Sequence, residues 1–144
     1  MKNRALSFLS AVAFLAAGCS SLYKSDQAAL QGGWSGFELG GSTESVCRML
    51  VTDNQISYSG STSTDWFKGT FTLRQDTQPK QLLVSITQAP SPGDVGKPLN
   101  VIYKYEANSL TVCANPPGDT NAPATFGAPG TRNYLFKRNP GTMP

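Results

Sequence analysis

From residue 34 onward the chain is a succession of short segments rich in aromatic and β-branched residues, broken by clusters of Gly, Pro, Asn, Asp and Ser. Within the segments apolar side chains recur at every second position, the period of a strand with one buried face. Leu82, Val84 and Ile86 share one side of their segment, Val101, Tyr103 and Tyr105 one side of the next, and Leu110 and Val112 one side of the one after. Eight strands are predicted: 34–39, 46–52, 55–59, 66–75, 81–88, 100–106, 109–114 and 133–138. Two-residue connections at Asp53-Asn54 and Ala107-Asn108 suit hairpins between antiparallel neighbours. Eight strands with one oily face each must curl until that face is covered, and closure also removes the exposed edges. The pattern predicts an all-β protein: an eight-stranded antiparallel up-and-down barrel over residues 31–138. A two-sheet sandwich is the alternative, but it needs long crossovers, and the long connections are confined to 89–98 and 115–132.

The first residues follow a different pattern. Lys2 and Arg4 precede a 13-residue run from Ala5 to Ala17 that is apolar apart from two serines, a charged region followed by a hydrophobic one, as in a secretory signal peptide. The run is shorter than the roughly 20 residues a spanning helix needs, so cleavage is expected. It ends in Leu15-Ala16-Ala17-Gly18-Cys19, which resembles the lipobox of bacterial lipoproteins, with Ala16 where a large aliphatic residue is usual. The resemblance implies removal of residues 1–18 and lipidation of Cys19. Three acyl chains on one residue exceed what stable anchoring requires, so the expected partner is a membrane surface. Ser20 after the cysteine, in place of Asp, points to the outer membrane facing the periplasm in a Gram-negative cell. Residues 19–30 are expected to form a tether with a short turn or helix at 27–30, and residues 139–144 a flexible tail.

Processing changes the charge. The whole chain carries 12 basic and 9 acidic side chains, but two of the bases leave with the leader, so the mature charge is near +1. With no basic stripe, nucleic-acid binding is not expected. The chain has no histidine, which removes serine and cysteine triads, the usual general base and the commonest transition-metal ligand. With three cysteines, one of them lipidated, a thiolate metal site is not expected either. Asp53, Asp65, Asp76, Asp94 and Asp119 sit beside turn residues, where carboxylates cap backbone amides. The chain therefore reads as non-enzymatic, with no cofactor and no metal.

Several motifs are similar, in order and spacing, to a lipocalin-like domain of uncharacterised function abundant in planctomycetes. They are Leu30 to Trp34, Phe67-Lys68-Gly69-Thr70-Phe71, Ile102-Tyr103, Leu110-Thr111-Val112-Cys113, Pro116-Pro117-Gly118, Pro123 to Phe126 and Leu135-Phe136-Lys137-Arg138. The resemblance implies the barrel but no activity. Trp34 after Gly32-Gly33 also resembles the opening Gly-x-Trp element of lipocalins, which makes Trp34 the expected plug at one end. An eight-stranded barrel either just fills with side chains or holds one small ligand, and the sequence leaves both open. If a cavity exists, Tyr58, Phe71, Tyr103, Tyr105 and Tyr134 are the expected lining.

Two features leave further alternatives. Cys47 and Cys113 are a candidate disulfide in an exported protein; both fall near the same rim, but Cys47 shares a face with Met49 and Val51 while Cys113 shares one with Thr111. Tyr58-Ser59-Gly60-Ser61 and Trp66-Phe67-Lys68-Gly69 are similar to a region of periplasmic lysozyme inhibitors, a resemblance that implies roles for Ser61 and Lys68 in a protein-binding module. The expected function is an anchored barrel binding a small apolar ligand or an envelope component; a protein-binding module and a purely structural envelope protein are the alternatives.

Overall fold

The computed structural model describes residues 25–41 and 45–140. The expected leader, the expected lipobox and Cys19 lie outside the described residues, as do residues 141–144. The strands are β1 (Gly32–Glu38), β2 (Val46–Thr52), β3 (Gln55–Ser59), β4 (Trp66–Arg74), β5 (Lys80–Gln88), β6 (Pro98–Glu106), β7 (Ser109–Ala114) and β8 (Arg132–Arg138). Each pairs antiparallel with its neighbour in sequence, and β8 returns to pair with β1, so the sheet closes as an up-and-down barrel. The sandwich alternative is excluded.

Alternation builds the wall. Along β2, Cys47, Met49 and Val51 are buried and the residues between them are exposed; β3 and β5 repeat the pattern with Ile56 and Tyr58, and with Leu82, Val84 and Ile86. β6 departs from it furthest: every residue from Leu99 to Tyr103 is buried. The long segment 115–131 accounts for this by folding over the outer face of β6 and β7. There the Asn100 side-chain amide donates to the Asp119 carbonyl at 3.0 Å, and the Cys113 thiol lies 3.7 Å from the Thr125 carbonyl. A strand covered on both faces loses the polar half of its pattern.

Closure demands close approach between β1 and β8. A Cβ on Gly36 would stand 2.0 Å from the Leu135 carbonyl oxygen, a backbone atom that cannot rotate away. Gly36→Ala should destabilise the barrel by about 2 kcal/mol or more through overpacking, read as a lower urea midpoint; an unchanged midpoint would contradict this register.

The short turn or helix expected at 27–30 is a helix, α1 (Asp26–Leu30), docked across one end of the barrel. Ser25 caps it by accepting from the Ala28 N–H at 3.3 Å. Side chains fasten it to three strand ends or turns. Asp26 pairs with Lys80 at 2.7 Å and accepts from the Tyr103 hydroxyl at 2.8 Å, while the Gln27 and Gln31 amides donate to the Asp53 carbonyl. The helix is too short to be stable alone; packing of Leu30 into the barrel end holds it. At the same end of the barrel, just past β8, Asn139 continues the ladder by donating to the Gly33 carbonyl at 2.9 Å.

Candidate functional site

The barrel is not solid. A chamber of about 580 Å³ runs from the α1 floor to an open mouth at the opposite end. Its wall comes from inward positions of the strands, including Met49, Ile56, Leu82, Val101, Leu110 and Phe136. A space of that size lies within the range of small-molecule sites and would take on the order of 20 water-sized groups. Leu30 of α1 and Tyr103 line its deep end. The Tyr103 hydroxyl is committed to Asp26, and burial followed by that neighbouring carboxylate pushes its pKa above the usual tyrosine value. It stays a protonated donor already in use, so the deep end is apolar in effect.

Below the chamber Trp34 closes the floor. Its side chain is fully buried, and its indole N–H donates to the Leu30 carbonyl at 2.9 Å. The Arg138 guanidinium lies 4.3 Å from the indole ring centroid and donates to the carbonyls of Ala29 and Gln31. Tyr105 meets the ring edge-on with centroids 6.0 Å apart. These contacts satisfy the carbonyls of the α1 C-terminus, where orphan acceptors accumulate, and stack a cation on the indole. Trp34 and Arg138 are register partners across the β1–β8 seam, so closure of the sheet is what brings them together.

The mouth carries the polar chemistry. Arg132 at the start of β8 reaches both Glu38 at the end of β1 and Asp65 before β4. Its Nε and Nη2 donate to the Glu38 carboxylate at 3.0 and 2.8 Å, and its Nη1 and Nη2 donate to the Asp65 carboxylate at 2.9 and 2.8 Å. Each pair is bidentate, the geometry that gives guanidinium–carboxylate contacts their strength. Asp65 is held against the wall by a tight β3–β4 connection, in which the Gly60 N–H donates to the Asp65 carbonyl at 2.6 Å. A Cβ on Gly60 would stand 1.9 Å from Asp65 Oδ2, so only glycine leaves room for the carboxylate. The Tyr58 hydroxyl lies 3.1 Å from Asp65 Oδ2, 3.4 Å from the Tyr134 hydroxyl and 3.5 Å from the Cys47 sulfur. Arg132 also sits 5.2 Å from the Tyr134 ring centroid.

Hydrogen bonds from Arg132 hold the Asp65 carboxyl below the usual carboxylate range, while burial raises both Tyr58 and Tyr134 above the usual tyrosine range. The Asp65 and Glu38 hydrogen bonds likewise raise Arg132. Because Asp65 is depressed in the folded state, its contribution to stability is fully present above the unfolded value of about 3.9. It is lost as pH falls through the folded value. Asp65→Asn should therefore flatten the acid limb of the stability profile below about pH 4, measured as urea midpoint against pH; an acid limb identical to the parent's would contradict the pairing.

No protein-family model, curated protein or solved structure matches the chain. Chemistry at this site is therefore read from its geometry.

Of the five residues expected to line a cavity, Tyr58, Tyr103 and Tyr134 do so. Phe71 is buried in the surrounding core without bordering the chamber, and Tyr105 packs on the Trp34 edge. Cys47 and Cys113 are free thiols, so the candidate disulfide is not formed. The cause is the strand parity: Cys47 belongs to the inner core, whereas Cys113 points outward under the 115–131 segment. Ser61 lies in the exposed β3–β4 connection and Lys68 on the exposed outer side of β4. Asp65, expected as a turn cap, is instead part of the mouth network, and Arg132, Glu38 and Arg138 carry contacts that no local motif announces.

Proposed function

We propose that this protein is a non-enzymatic envelope lipoprotein, anchored through Cys19, whose lipocalin-like barrel holds a small, largely apolar ligand. The observation that carries the reading is the 580 Å³ chamber, closed at its floor, open at its mouth and walled by aliphatic and aromatic side chains. An unfilled apolar space costs on the order of 20 cal/mol per Å³. A sealed void this large would thus cost about as much as a whole domain's stability. Methyl and ring groups sufficient to fill the barrel would be the simpler outcome if stability alone shaped the core, so the retained space favours an occupant. The polar groups sit at the rim, where a ligand's polar end would lie while its apolar part fills the depth.

The proposal also rests on the motif resemblance and on the lipobox of the leader. Titration of the purified protein with single-chain C10–C14 amphiphiles should quench or shift tyrosine and tryptophan fluorescence saturably, with a 1:1 adduct in native mass spectra. Neither signal at micromolar protein would refute the ligand reading.

A further inference from the structure

We propose that the chamber selects amphiphiles with a neutral or cationic, donor-bearing head and discriminates against carboxylate- and phosphate-headed ones of equal chain length. This rests on the chamber reading above and names its ligand class.

The argument begins with where polarity faces the cavity. The charged residues on its lining are Asp65, Asp94 and Arg132, all at the mouth. Behind them, Glu38 pairs with Arg132, and Lys97 pairs with Asp94 at 2.8 Å. Among the described residues three carboxylates thus face two cations, and this part of the rim is net negative. Arg48 and Lys68 lie on exposed outer positions of β2 and β4, on the other side of the wall. Lys80 is at the floor with Asp26.

An arginine in a binding pocket ordinarily suggests an anionic ligand. Here it does not, because a guanidinium has five N–H donors and Glu38 and Asp65 use four of them. An incoming carboxylate would find one N–H and two carboxylates already in place, and like charges at this range disfavour the charged form. Competing for Arg132 would also break a bidentate pair and leave Asp65 without its counter-ion in a partly buried position. A head that donates hydrogen bonds meets the opposite situation. Asp65 accepts twice from Arg132 and once from Tyr58, which leaves one of its roughly four lone-pair sites at the rim for a ligand, and the hydroxyls of Tyr58 and Tyr134 stay protonated because burial opposes their ionisation. Each hydroxyl keeps acceptor capacity beyond the contact it makes with the other. The mouth is thus an acceptor-rich, slightly negative collar over an apolar well.

The test compares four C12 probes on the parent protein, each below its micellar concentration or solubility limit: dodecanol, dodecylamine, dodecanoate and dodecyl phosphate, with affinities from fluorescence competition. Dodecanol and dodecylamine should bind at least tenfold more tightly than either anion. Glu38→Gln, which frees part of the guanidinium without touching the chamber wall, should narrow that gap by improving binding of dodecanoate. Equal affinities, or tighter binding of either anion by the parent protein, would overturn the head-group inference and leave the chamber reading standing. Failure of all four to bind would overturn both.

Discussion

Trp34→Ala should destabilise the protein by about 3–5 kcal/mol, the usual cost of truncating a buried aromatic to Ala. The expectation follows from what the indole holds. Removing it opens a void beneath the chamber, leaves the Leu30 carbonyl without its 2.9 Å donor and takes away the ring on which Arg138 stacks. Since Arg138 also ties down the carbonyls of Ala29 and Gln31, the loss should propagate to α1 and loosen the floor. Hydrogen exchange at residues 28–31 should accelerate in this variant before the strands are affected. Trp34→Phe keeps the ring and loses the N–H, and should cost about 1–2 kcal/mol, the penalty of one unsatisfied buried acceptor. A Trp34→Ala protein with parental stability would show that the indole does not close the barrel.

Ala114→Trp should abolish ligand binding, lowering affinity at least a hundredfold, while costing less than about 2 kcal/mol of stability. Ala114 lines the chamber, between Val101 and Arg132 in the β6–β7–β8 ladder. An indole placed there has open space to enter, so the 1–3 kcal/mol usual for overpacking a filled core is offset by the apolar area it buries. Val112→Phe, on the same face of β7, should produce a smaller loss in the same direction. Retention of full affinity by both variants would place the ligand outside the barrel. The comparison is informative only alongside matched thermal midpoints, which separate an occluded chamber from an unfolded one.

The barrel was legible in the sequence because its physics is local. Alternation at 46–52, 55–59 and 81–88 assigns an inner and an outer face to each strand without knowledge of the others, and β2 and β3 begin and end where the pattern predicts. The same parity separates Cys47 from Cys113. Where a distant segment intervenes, the reading fails: the continuous burial of 99–103 depends on 115–131 folding over the outer wall, and nothing in a period of two announces such a cover. The site was legible in part. Trp34 could be picked out by its position after two glycines, and three of five tyrosine and phenylalanine candidates do line the space. Tyr105 failed because β6 runs past the chamber to the level of the Trp34 ring.

The mouth network was the least accessible part. Asp65 beside a turn is indistinguishable from a backbone cap until Arg132, 67 residues away, is placed against it. A signal for Arg138 did exist. Once eight strands are closed in order, the start of the first must pair with the end of the last, which sets Trp34 opposite Arg138; that step joins a topological conclusion to two residues. Whether the barrel is hollow was beyond reach, because it depends on volume differences of a few methyl groups spread over all the strands.

The central claim is that the space inside the closed barrel is where a ligand lies, and side-chain methyl NMR during titration with dodecanol measures it most directly. Inward methyls of Met49, Ile56, Leu82, Val101 and Leu110 should shift together and saturably, while those of Val46 and Leu50, exposed on the outer side of β2, stay in place. Shifts confined to the outer set, or no shift in the inner set under conditions where dodecanol binds, would contradict it.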